Sequence, residues 1–257
     1  MIKWVTIVWL LLLLALPAMA MESFPRKQRQ QWCYECSLLC LGSVASLQLS
    51  IEPSVLPQTY RIVLQGKGSG LIGWLNGDRH QYYESLVQLN ANNTVSTAFH
   101  LHHTEITHNS QRIQYGWKFT FNELPLGIKG ERLWGGDVVE TAQYYTADDV
   151  ADSRQVVGDF LSALFGFMVD GSRALEVGLQ YKFLVFYRGD YVALNIDVID
   201  DCDQDGWQCR VRSDRSCLPG GGKEMIFYCD DNRVPLAVAS PVLFGGVRIS
   251  GARCVGE

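Results

Sequence analysis

The chain has 257 residues, 47% apolar and 19% charged, which excludes wholesale disorder. A formal net charge of −5, with no basic stripe interleaved with aromatics, excludes nucleic acid as the partner class. The length suits one large β domain or two small ones.

The N-terminus reads as an export address. Lys3 precedes an apolar run from Val5 to Leu16, broken only by Thr6, then Pro17 and the small-residue site Ala18-Met19-Ala20. This order is that of a cleavable secretory signal peptide, residues 1–20. The run is shorter than the roughly 20 apolar residues of a spanning helix. Cys33, the first cysteine, follows a polar stretch, so no lipid-attachment cysteine sits at the cleavage site. The expectation is a periplasmic or secreted protein, cleaved near Ala20, with no membrane span afterwards.

Residues 21–32 (Arg26, Lys27, Arg29) read as a flexible polar leader. Cys33 to Ala45 reads as a short helix with Cys33, Cys36 and Cys40 on one face. Residues 21–46 therefore stand as a leader and short helix, ahead of a single antiparallel β domain over 47–257. Strands are expected at Thr59–Leu64, Tyr82–Leu89, Thr94–Thr104 and Gln111–Asn122. In the last, Tyr115, Trp117, Phe119 and Phe121 line one face with period two. Asp148 to Val169 reads as an amphipathic helix, with acids early and Gly171 beyond. Strands resume at Leu179–Tyr187, Tyr191–Val198, Met225–Cys229 and Val242–Ser250, interrupted by a polar, cysteine-rich excursion at 200–223. The fold class is mainly β: a curved antiparallel sheet or half-barrel packed on one principal amphipathic helix.

The eight cysteines fall in two odd-sized groups: Cys33, Cys36 and Cys40, then Cys202, Cys209, Cys217, Cys229 and Cys254. In an oxidising compartment all eight are disulfide candidates. If all pair within the chain, at least one bridge joins the two groups, and Cys40 is the candidate to reach across. The remaining connectivity is open among about 105 pairings. A redox or metal role for the Cys33–Cys36 pair competes with a structural disulfide, which the lack of a surrounding βαβ pattern favours.

Two metal patterns stand out. Asp201, Asp203 and Asp205, followed by Gly206, match the start of a calcium loop, but the twelfth position is Arg212 rather than a bidentate glutamate. Asp200 or Asp214 would have to complete the set, and the competing reading is a solvated acidic turn. His100 and His102 share one face of an expected strand while His103 points the other way, so with His80 or His108 they form a transition-metal candidate. The competing reading there is a polar strand edge. Calcium is the one cofactor suggested. Asn92-Asn93-Thr94 is a formal glycosylation acceptor, informative only in a eukaryotic chain and otherwise a turn.

Several segments carry a family resemblance. Asp159-Phe160-Leu161-Ser162-Ala163-Leu164-Phe165, Gly178 to Phe186, Ile226-Phe227 through Asp230, Arg233-Val234-Pro235-Leu236 and Phe244-Gly245-Gly246-Val247 resemble motifs of the exported bacterial family called domain of unknown function 3108. Gly70 to Gly77, with Trp74, resembles its early strands. The likeness covers most of residues 55–252 and departs from the family at the cysteines and at 200–223. It implies an exported protein with a curved antiparallel sheet, broadly like periplasmic carriers that hold acyl chains in an open half-barrel. It implies no chemistry, because the family has no established activity.

No nucleophile elbow, His-Glu-x-x-His, phosphate loop or dinucleotide fingerprint is present, so an enzyme is not expected. Asp137, Glu140, Asp148 and Asp149 are better read as complementing a helix dipole than as a catalytic carboxylate pair. The expected role is binding a lipid or other apolar ligand. The alternatives are a protein-binding or scaffold module of the envelope, using an edge strand or the 200–223 excursion, and an unrecognised hydrolase.

Overall fold

The computed structural model describes residues 28–38, 42–69, 79–91, 93–108, 111–122, 127–145, 155–170, 174–202, 206–218, 223–240 and 247–253. The signal segment, Cys40, Trp74, Asp148, Asp149, Asp203, Asp205, Phe244 to Gly246 and Cys254 lie outside them. No helix among the described residues is long and apolar enough to cross a membrane.

The first departure from expectation comes at once. Gln30–Leu38 is strand β1 and Gly42–Pro53 is strand β2, where a short helix was expected. Trp32, Tyr34 and Cys36 are buried while Cys33 and Glu35 are exposed, an alternation only a strand provides. Cys33 and Cys36 therefore face opposite ways. The expected flexible leader ends earlier too, since Arg29 pairs with Glu52 at 3.0 Å.

The other strands are β3 (Thr59–Gly68), β4 (His80–Leu89), β5 (Val95–His108), β6 (Gln111–Asn122), β7 (Gly127–Trp134), β8 (Asp137–Tyr145), β9 (Gln155–Val157), β10 (Gln180–Tyr187), β11 (Asp190–Asp201), β12 (Trp207–Ser213), β13 (Glu224–Cys229), β14 (Pro235–Ser240) and β15 (Val247–Arg253). They form one sheet in the order β8-β7-β6-β5-β4-β3-β2-β1-β15-β14-β13-β12-β11-β10-β9. Every pair is antiparallel except β9 with β10. The N- and C-terminal segments meet mid-sheet, with Cys33 opposite Ala252. The 200–223 stretch is no simple excursion: it contributes β12, an internal strand between β11 and β13. Asp137 and Glu140 lie on β8 rather than at the start of the described helix.

Helix α1 is Phe160–Val169, shorter than the helix expected over 148–169, because β9 occupies 155–157. It is not amphipathic. Eight of its ten residues are buried, Phe165 and Phe167 completely, so it is apolar on nearly every side. It packs against β3, β4, β5, β9 and β10. The sheet rolls around it until Phe186 of β10 meets Phe119 and Phe121 of β6 and Tyr144 of β8, at 5.2–6.3 Å between ring centroids. Edges β8 and β9 do not pair with each other, so among the described residues this half-barrel is closed by aromatic packing rather than by hydrogen bonds.

Candidate functional site

The concave face of β4 to β8 holds two kinds of surface. The first is a buried polar knot at the start of α1. Asp159 is the N-cap: its Oδ1 accepts from the backbone N–H of Leu161 at 2.8 Å and of Ser162 at 3.1 Å. Ser85 Oγ donates to the same oxygen at 2.8 Å, and Ser162 Oγ donates to Oδ2 at 2.8 Å. Thr97 Oγ1 donates to Ser162 Oγ at 2.7 Å and accepts from the Gly158 N–H at 2.8 Å. His100 Nδ1 lies 3.0 Å from Ser85 Oγ. Ser85 has one proton and gives it to Asp159, so His100 Nδ1 carries the hydrogen and donates to Ser85. Every hydroxyl in the knot donates once and accepts once, and all the donors run toward Asp159.

A bulge builds this convergence. β4 and β5 shift register between Leu86 and Val87, so Ser85 lies opposite His100 but Val87 lies opposite Thr97. The extra residue in β5 turns both Thr97 and His100 toward α1.

Serine, histidine and aspartate together suggest hydrolysis, but the geometry does not perform it. A hydrolytic triad uses opposite ring nitrogens of the histidine, one for serine and one for aspartate. Here a single nitrogen, His100 Nδ1, faces both Ser85 and Asp159, the latter at 3.6 Å. Ser85 is also 0% exposed, beyond the reach of any substrate. The knot is a structural fastening of α1 to the sheet.

The second surface is aromatic. Tyr83, His102 and Trp117 stand in cross-strand register on the face that carries Ser85 and His100. Tyr83 and His102 stack with centroids 4.3 Å apart and planes 4° from parallel. Trp117 stacks on Phe119 at 5.9 Å, and Tyr115 on Trp134 at 6.1 Å. The period-two face expected for β6 is therefore present and concave. Gly130, opposite Phe119, leaves room for the rings: a Cβ there would lie 2.8 Å from the Tyr144 ring. Burial first, then the neighbouring His100 and His103, push the His102 imidazole down to about 4, so it is neutral at pH 7. Its Nε2 and the Thr104 Oγ1, two residues further along the face, are buried without a hydrogen-bond partner.

The metal candidates are only partly described, since Asp203 and Asp205 of the calcium pattern lie outside the described residues. Among the described residues no three His, Cys, Asp or Glu side chains converge to hold an ion. His100 and His102 do share a face, and His103 stacks on Tyr82 on the other. However, His100 is tied to Ser85 and His102 to Tyr83, while His80 is exposed at the start of β4. In the calcium pattern, Asp201 ends β11 and Arg212 is bound to Asp197 at 2.6 Å. Asp214 accepts from the Ala193 N–H. Asn93 sits with φ 60° in the β4–β5 turn.

Cys33 is disulfide-bonded, and the other described cysteines are spread through the sheet. Cys36 lies on β1, and Cys202 follows β11, where its N–H donates to the Gly206 carbonyl at 2.9 Å. Cys217 lies against the Ser213 hydroxyl at 2.9 Å. Cys209 and Cys229 face one another across β12 and β13. Sequence reasoning missed the polar knot; the one signal for it was the helix-start pattern Asp159-x-x-Ser162.

No family model matches the chain, and no curated protein matches it. Among solved structures it is similar to a β-barrel-like protein of domain of unknown function DUF1849 from Brucella abortus. That likeness has a TM-score of 0.51 and covers 90% of this chain and 100% of that chain at 8% identity, so it concerns the fold alone.

Proposed function

We propose that the protein is a non-catalytic, exported binding protein whose concave aromatic groove holds the apolar chain of an amphiphile such as a fatty acid. One observation carries this reading. Tyr115, Trp117 and Phe119 stay only half-buried on the concave face, on a strand beyond those that α1 packs against, and Trp134 at the rim is 52% exposed. In a filled core they would be sealed as Phe165 and Phe167 are. Apolar walls with a few placed polar atoms are the usual make-up of a small-molecule site. The signal-like N-terminus and the resemblance to an exported family support the compartment.

The test is titration with a long-chain fatty acid bearing an environment-sensitive fluorophore. Saturable enhancement, displaced by unlabelled fatty acid and weakened at least ~10-fold (about 1.4 kcal/mol) by Trp117→Ala, is expected. No saturable signal would remove the reading.

A second reading rests on β8. Among the described strands it pairs only with β7, and it exposes Val138 and Val139, each more than half accessible, at the rim of the sheet. Such an edge can accept an extended segment of an envelope protein. Val139→Lys would then abolish partner capture and leave fluorophore binding intact.

A further inference from the structure

Cys209 and Cys229 have no exposed surface, and their Sγ atoms lie 3.8 Å apart. Strand register sets Cys209 opposite Phe227 and Cys229 opposite Trp207. The two cysteines are thus diagonal neighbours on the buried face of the β12–β13 hairpin, within side-chain reach of each other. A disulfide needs the sulfurs to approach to about 2.0 Å. Closing that gap takes rotation about the two Cα–Cβ bonds together with a movement of the two strands. Among the described residues Cys217 lies against Ser213 and Cys36 lies on β1, so each stands apart from this pair.

We propose that Cys209 and Cys229 are a crosslinking pair, closed to a disulfide while the chain folds, which clamps β12 to β13 under α1. The oxidant is a disulfide of the low-molecular-weight or protein thiol-oxidant class. The thiolate of one cysteine attacks it, forming a mixed disulfide and releasing one thiolate. The thiolate of the other cysteine then attacks the protein sulfur of that mixed disulfide, forming the Cys209–Cys229 bond and releasing the second thiolate. Two protein thiols are oxidised and one disulfide is reduced to two thiols. The timing follows from burial. In the folded chain no oxidant reaches either sulfur, and the Cys209 contact together with burial pushes the Cys229 thiol well above its usual range.

The experiment is to refold the reduced, denatured full chain in a reduced/oxidised glutathione buffer, then quench, alkylate and map peptides by mass spectrometry. A linked Cys209–Cys229 peptide is expected in the folded fraction. Folded, reduced protein placed in the same buffer should form that peptide at least ~100-fold more slowly, because it must first open. If refolding fails, the same map is read on protein expressed into an oxidising compartment. A double variant, Cys209→Ala with Cys229→Ala, should show a smaller drop in Tm on reduction than the parent, the remainder belonging to the disulfide of Cys33. Alkylation of both cysteines after folding, pairing of either with another cysteine, or an undiminished reductant effect in the double variant would each overturn the proposal.

Discussion

Ser85 on β4 and Asp159 ahead of α1, 74 residues apart in sequence, share a 2.8 Å hydrogen bond in the core. Through it the Asp159 carboxylate, 3% exposed, becomes the common acceptor for a helix N-terminus and a sheet. Asp159→Ala removes an N-cap, worth about 1 kcal/mol. It also leaves Ser85 and Ser162 as buried unpaired donors, at about 1–3 kcal/mol. Chemical denaturation should show a loss of about 2–4 kcal/mol. Ser85→Ala leaves the cap intact and should lose about half as much. Equal losses in the two variants would mean that the cap itself contributes little.

The opposite end of α1 is held by a cation. Arg233, 3% exposed, places its guanidinium 5.8 Å from the Phe167 ring centroid and 5.5 Å from that of Tyr181, and donates to the Phe167 carbonyl at 3.4 Å. A positive charge there complements the helix C-terminus. Lysine cannot reproduce a planar, stacked donor fork. Arg233→Lys should therefore cost about 1–3 kcal/mol in an unfolding titration, and a wild-type midpoint would refute the stacking argument.

Gly116 lets β5 and β6 approach under the groove. A Cβ there would lie 2.1 Å from the His102 carbonyl oxygen, a backbone atom that cannot step aside. Gly116→Ala should cost about 1–3 kcal/mol and splay the strands at His102 and Trp117. Weakened fluorophore binding should accompany the lowered stability. Unchanged binding would place the ligand elsewhere on the sheet.

His102 makes stability depend on pH with a definite sign. Its folded value is about 4, against 6.5 for an unburied histidine. Between those values the unfolded chain binds a proton that the folded chain does not, so stability falls as pH drops from about 6.5 to about 4. His103, also lowered by burial, adds to the same slope. His102→Phe keeps a ring for Tyr83 to stack on and removes one titration. Its Tm should fall less than the parent's across that window, and parallel curves would contradict the assignment.

Legibility in the sequence tracked how local each signal was. The aromatic alternation of Tyr115, Trp117, Phe119 and Phe121 needs only a strand's period of two, and the concave face of β6 carries all four. The opposed faces of His102 and His103 follow from the same rule. Cys33 to Ala45 misled because three cysteines at helical spacing hid the stronger alternation of Trp32, Tyr34 and Cys36. The helix start was misplaced for a similar reason. Val156 and Val157 fit a helical stripe, and only pairing with β10 makes them strand.

The sequence by itself determined that this chain is mainly β with one principal helix, because burial periodicity is written in neighbouring residues. Tertiary structure decided what the concave face contains. A one-residue bulge between Leu86 and Val87 aims Thr97 and His100 together at α1. Cross-strand register brings Ser85 to Asp159, and Cys209 to Cys229. Such meetings depend on strand pairing between residues tens of positions apart, where a shift of one residue turns every side chain to the other face.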